Sequence, residues 1–159
     1  MPTRFQGTKS EIRALNSYIK LIRAAETLTA RITKHVADQT GLSISQFGVL
    51  EALFHIGPMC QKDIAAKQLK SGGNVTMVVD NLEKEVLVRR ERSEQDRRMI
   101  MVHLTRKGRK LIGDYFPRHA KVIQHEMSAL SAPEMEALGA LARKLGLQKV
   151  GVYPSQCYK

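Results

Sequence analysis

Asp96, Arg97 and Arg98 stand side by side in "SEQDRRMIMVHLTRKG", residues 93 to 108, directly ahead of a short alternating apolar run. A guanidinium presents a planar fork of donors that matches phosphate and base-edge acceptors, and a neighbouring carboxylate can orient the fork without cancelling its charge. An Arg carried on the tip of a β-ribbon can enter a narrow, A·T-rich minor groove, where the negative potential is deepest. Asp96 and Arg98 suit these two roles, and Arg97 adds charge beside them. A second set lies upstream in "KSGGNVTMVVDNLEKE". Asn can bond adenine edges, and the methyl of Met or Thr can touch that of thymine. Gly72 and Gly73 would let the backbone approach a phosphate at the positive end of a helix. Ser71, Gly73, Asn74, Thr76, Met77 and Asn81 therefore join Arg97 and Arg98 as candidate DNA contacts.

Other chemistries are poorly supplied. Cys60 and Cys157 are far apart, with no CxxC and no Cys/His cluster, so neither a disulfide framework nor a structural zinc site is expected. Cys60 just ahead of a helix would have its thiolate stabilised by the helix dipole, as in a redox sensor; the plainer reading is a thiol filling a small half-buried site. His35, His55, His103, His119 and His125 include no pair at metal-ligand spacing with carboxylates beside it, so no metal is expected. "KSGGN" is Gly-rich but lacks the G-x-x-x-x-G-K-[ST] order of a phosphate loop. With no nucleophile paired to a base, neither an enzyme nor a cofactor is expected.

The elements that must position these residues follow from periodicity. Thr8 and Glu11 have capping-box spacing, and Ile12, Leu15, Ile19, Ile22, Leu28, Ile32 and Val36 continue a helix to about residue 39. Tyr18, Leu21 and Ala25 add a second apolar stripe, as if one side met another subunit. Ser43 and Gln46 open a second helix that ends at Gly57 and Pro58. Two short helices follow, Gln61 to Leu69 and Asn74 to Glu85, with "KSGGN" as the turn between them and Val75, Val79 and Leu82 inward; together they form a helix-turn-helix. Period two then sets in, with Val86, Val88, Ile100, Val102 and Leu104 as the inward set of a hairpin. Thr105 caps a long helix that Pro117 should kink. Ser131, Pro133 and Glu134 open a last helix with Met135, Leu138, Leu141 and Leu145 as its stripe and Gly146 as its stop.

Composition agrees with a nucleic-acid partner. The 159 residues suit one domain, and 43% hydrophobic residues with only 5% aromatic favour a helical core. The formal charge is +11, and segment 89–110 holds nine basic and three acidic residues, so the charge is local. No apolar run approaches the roughly 18 residues that span a bilayer. "MPTRFQGTKS" lacks the apolar core of a secretory signal, so a cytoplasmic protein without a membrane partner is expected.

Helix-turn-helix followed by a basic hairpin is a winged helix. "GLSISQFGVLEAL", "NVTMVVDNLEKE", "LVRRERSEQDRR" and "VHLTRKG" resemble the MarR family of homodimeric winged-helix transcriptional regulators over residues 10 to 146. "SGGNVTMVVDNLEKE" and "FPRHAKVI" are similar to the branch that responds to catechols and quinones. The resemblance implies Arg98 in the minor groove beside Asp96, and Asn74, Thr76 and Met77 on the recognition helix. It implies a homodimer joined through the helices near both termini, released from DNA by small phenolic or aromatic ligands. Tyr18, Phe47, Phe54 and Phe116 are candidates to line such a pocket, and equally suit a plain core.

Two positions depart from the family pattern. Val86 stands where family members usually close the recognition helix with glycine, and Cys60 where they carry Thr or Ser. A β-branched residue is poorly suited to the left-handed conformation, so a different helix-to-wing joint is expected. The resulting expectation is a mainly α protein with a small β-wing: one domain over 1–159, a dimerisation stem from 10–39 and 105–146, a winged helix-turn-helix at 43–104, and a tail at 147–159 with no readable period. Its expected role is a repressor of a pseudo-palindromic operator. The alternatives are a redox-responsive regulator working through Cys60, and a non-specific nucleic-acid-binding module.

Overall fold

The computed structural model describes residues 4–68, 72–93, 96 and 98–148. Six helices and three strands follow in the order α1 (Lys9–Thr40), α2 (Ile44–Ile56), β1 (Met59–Cys60), α3 (Gln61–Gln68), α4 (Gly72–Lys84), β2 (Val88–Arg92), β3 (Ile100–Leu104), α5 (Arg106–Glu126) and α6 (Ala132–Gly146). The chain is thus mainly α with a small antiparallel sheet, ordered β1-β3-β2. None of the described helices is long and apolar enough to cross a membrane.

Capping decides where the helices begin. The Thr8 hydroxyl accepts the Glu11 N–H while the Glu11 carboxylate accepts the Thr8 N–H, and Ser43 and Gln46 repeat the exchange at α2. The Ser131 N–H and hydroxyl both donate to Glu134 ahead of α6. Gly41, at φ 72°, closes α1. Gly72 and Gly73, read as turn residues, instead begin α4, and Lys70 and Ser71 lie outside the described residues. α5 continues as one helix through Pro117.

The chain divides into two compact units, Met1–Val122 and Ile123–Lys159. The first owns the core: Val36 of α1, Phe47, Leu50 and Leu53 of α2, Ile64 of α3, Val75, Val79 and Leu82 of α4, Val88 and Val102 of the sheet, and Ile112 of α5, all at most 2% exposed. Each such side chain contributes about 1.5–3 kcal/mol relative to exposure. The second unit holds the end of α5 and α6, and no residue of α6 is buried within the single chain. The tail beyond residue 148, with Cys157, lies outside the described residues.

The inward set of the hairpin needs correction at both ends. Val86 is 60% exposed and Ile100 50%, whereas Leu87 and Val88 are each 1% exposed. Alternation starts only at Val88, because α4 and its closing turn extend through Val86. Ile100 pairs with Arg92 at the open end of the ladder, beyond the reach of the core. β1 pairs Met59 with Val102 and adds a third strand to the expected two.

Candidate nucleic-acid interface

α4 buries Val75, Val78, Val79 and Leu82 and leaves Asn74, Thr76, Met77 and Asn81 exposed on its other side, with Met77 60% exposed. The 3.6-residue period produces this division: the apolar positions 75, 78, 79 and 82 are one stripe, and the polar ones face out. Gly73 is exposed, and a Cβ there would meet nothing within 4 Å. Ser71 and Arg97 lie outside the described residues.

At the wing tip, Asp96 acts on the backbone. Its Oδ1 accepts the Arg98 N–H at 3.0 Å, a side-chain turn that fixes the chain two residues ahead. The Ser93 Oγ accepts the Asp96 N–H at 3.3 Å, and Ser93 N–H to Met99 O and Met99 N–H to Asp96 O, both 2.9 Å, close the loop. Among the described residues no carboxylate forms an ion pair with the exposed Arg98, and the contact that Asp96 makes with it is through the backbone N–H.

Two features join α4 to the wing. Arg90 on β2 donates its guanidinium to Asp80 and, at 2.5 Å, to Glu83, while the Glu83 Oε1 accepts the Arg90 N–H at 2.9 Å. Burial disfavours the Arg90 charge, but the hydrogen bonds to Asp80 and Glu83 outweigh it and raise its pKa. The second feature is the closing turn of α4. Val86 adopts φ 58°, its N–H donates to Glu83 O, and the Leu87 N–H donates to Leu82 O, the bond pattern with which a glycine closes a helix. Val86 therefore takes the conformation expected of glycine, and the joint does not differ as its β-branch predicts.

The start of α5 grips this joint. The Thr105 hydroxyl donates to Val86 O at 2.7 Å and accepts the Gly108 N–H at 3.0 Å, while the Thr105 N–H donates to Leu87 O at 3.1 Å. Lys107 Nζ donates to Glu85 O at 2.8 Å, a cation at the negative end of α4. Gly108 packs so closely on Leu87 that a Cβ would lie 2.0 Å from its carbonyl oxygen. Sequence reasoning missed Arg90, Lys107 and the reason for Gly108. Only Arg90 left a signal, two residues from Val88 and hence on the buried face of the strand.

The candidate pocket aromatics part company. Phe47, 2% exposed, packs edge-on against Tyr115 with centroids 5.6 Å apart and belongs to the core. Phe54 and Phe116 flank His55 at 5.1 and 4.4 Å. Tyr18 is 60% exposed on α1, apart from these rings. A groove of about 660 Å³ between α1, α2 and α3 is lined by Thr29, Ile44, Glu51, His55 and Lys67 among others, and by none of the four aromatics. Nearby, His119 is buried against Phe47; burial lowers its pKa, Glu51 counters this and His35 adds to it. Cys60 is half-buried, its thiol donating to Asp63 at 3.2 Å. Among the described residues no His, Cys, Asp and Glu cluster could hold a metal ion.

Comparison with known proteins fits this geometry. The family model "Transcriptional regulator SarA/Rot" matches residues 31–115, just over half of the chain. The HTH-type transcriptional regulator MhqR of Bacillus subtilis is 36% identical over 135 residues, covering 85% of this chain and 92% of that protein. Bordetella bronchiseptica BpsR, whose DNA binding is regulated by 6-hydroxynicotinic acid, has a similar structure with TM-score 0.73 and 27% identity, covering 82% of this chain and 98% of that one. Sco3205 of Streptomyces coelicolor, a MarR family regulator solved in complex with DNA, shares the fold with TM-score 0.79 at 20% identity over 96% of this chain and 94% of that one. Helix-turn-helix, basic wing and these relatives agree: the chain belongs to the MarR family of winged-helix transcriptional regulators, DNA-binding proteins rather than enzymes.

Proposed function

We propose that the protein acts in the cytoplasm as a homodimeric repressor that occupies a pseudo-palindromic operator and is released by a small phenolic or aromatic ligand. The observation that carries this reading is the outward face of α4, where Asn74, Thr76, Met77 and Asn81 line up over a buried valine stripe beside a wing tip that presents Arg98. α4 reads the major groove while Arg98 enters the flanking minor groove, with Ser71, Gly73 and Arg97 as further contacts. Two copies place their recognition helices about one helical turn apart. Exposed Tyr18, Leu21 and Ile22 on α1, and Met135, Leu138, Leu141 and Leu145 on α6, supply apolar surface for the second copy. The stem is thus assigned to 10–39 and 105–146 and the DNA-binding part to 43–104.

The regulation of BpsR by 6-hydroxynicotinic acid supports an aromatic effector. The groove over α2, lined by His55 together with Ile44, Ala52 and Ile56, has room for one. A ligand that favours the DNA-incompetent spacing by about 3 kcal/mol weakens binding roughly a hundredfold.

Fluorescence anisotropy across a salt series, on duplex DNA from upstream of the protein's own gene and on a shuffled duplex, tests the reading. The native duplex should bind more tightly at every salt concentration, and Arg98→Ala should cost about 1–3 kcal/mol of that specific binding. Equal affinities for both duplexes that collapse together with salt would point to charge alone.

A further inference from the structure

The wing carries many basic residues, yet Arg90 is held away from solvent. Its side chain is 22% exposed, against 53% for the neighbouring Arg89, and it faces two carboxylates instead of the surface where a phosphate would lie. We propose that Arg90 is a positioning residue for DNA recognition: by gripping Asp80 and Glu83 of α4 from β2, it sets the angle at which the helix face and the wing tip meet a duplex. The inference rests on reading α4 and the wing as the two DNA-contacting parts.

The geometry gives such a residue leverage. Only Glu85, Val86 and Leu87 join α4 to β2, with Val86 in a left-handed conformation. The wing tip stands on a lever of roughly 20 Å, so a swing of about 10° moves it by roughly 3.5 Å, more than half the roughly 6 Å width of the minor groove. Asp80 and Glu83 are three residues apart and share one side of α4. The Arg90 fork engages both at once, and Glu83 also accepts the Arg90 N–H, so side chain and strand backbone are fixed together. A lysine at 90 would keep the charge and lose the fork.

Arg90→Lys therefore separates angle from charge. Wild type is first used to select its preferred duplex from a random-sequence pool, and that duplex and a shuffled version are then titrated by anisotropy. In Arg90→Lys the salt dependence and affinity on the shuffled duplex should match wild type, because no phosphate contact is removed. The preference for the selected duplex should fall about tenfold. Adding Arg98→Ala should cost clearly less than it does in wild type, because the wing is already misplaced. A residue that only stabilises the fold would lower the melting temperature and leave both preference and additivity intact. Asp80→Asn breaks one arm of the clamp from a position 47% exposed, and should reproduce the loss in milder form if Arg90→Lys folds poorly. Unchanged preference with full additivity in both variants overturns the proposal. A pool that yields no preferred duplex for wild type overturns the underlying reading, and the proposal with it.

Discussion

At the scale of single residues, two side chains at the α4–β2 joint carry opposite costs. Gly108 has no room for a methyl group, since its Cβ would lie 2.0 Å from a backbone oxygen that cannot swing away. Gly108→Ala is expected to destabilise the protein by at least about 2 kcal/mol, read from urea midpoints. Val86 is the reverse case: exposed, and left-handed at φ 58°. Glycine would remove about 1–2 kcal/mol of steric cost and give back about 0.5–1 kcal/mol in unfolded-chain entropy, so Val86→Gly should stabilise by up to about 1.5 kcal/mol. A fall in the urea midpoint of Val86→Gly would contradict that assignment. His119 adds a pH dependence. Burial lowers its folded-state pKa below the ordinary 6.5, so the unfolded chain takes up the proton first. The stability due to neutral His119 is complete above about pH 6.5 and is lost as pH falls from there through the lowered folded value. His119→Leu removes this titration, and its stability should decline less steeply between pH 7 and pH 5 than that of wild type.

At the scale of elements, α5 begins where α4 ends, and Thr105 serves both. Its hydroxyl caps α5 through the Gly108 N–H and holds the Val86 carbonyl of the joint. Thr105→Ala should cost about 1–2 kcal/mol in urea unfolding, and Thr105→Ser should recover most of it because serine keeps the hydroxyl. The caps were legible in the sequence because Thr8/Glu11, Ser43/Gln46 and Ser131/Glu134 satisfy a local rule at fixed spacing, and α1 accordingly runs to Thr40 against an expected 39. The outward face of α4 was legible for the same reason. What escaped depends on distant chain. β1 is two residues long, too short to show a period, and exists because Met59 meets Val102. The clamp of Arg90 on Asp80 and Glu83 needs the hairpin folded back on the helix. Asp96 was identified by type, but its hydrogen bond to the backbone N–H two residues on depends on the turn of the folded tip and left no signal in the spacing.

At the scale of the whole molecule, the unresolved balance lies in α6. Met135, Leu138, Leu141 and Leu145 form one stripe of α6 and none of them is buried, so in the proposed dimer this stripe is the surface that a second copy would cover. Leu141 and Leu145 are about 60% exposed, so charges there should be tolerated by the monomer fold. Leu141→Glu combined with Leu145→Glu should therefore yield a monomer in analytical ultracentrifugation, with a helical circular dichroism spectrum close to that of wild type. The effect on DNA should be far larger than the loss of two side chains that touch no base. Linked half-sites make the second recognition event intramolecular, and its loss weakens operator binding about a hundredfold or more while a single half-site keeps its intrinsic affinity. A variant that remains dimeric at micromolar concentration would place the subunit contact elsewhere. A monomer that still binds the full operator at wild-type affinity would show that one winged helix suffices.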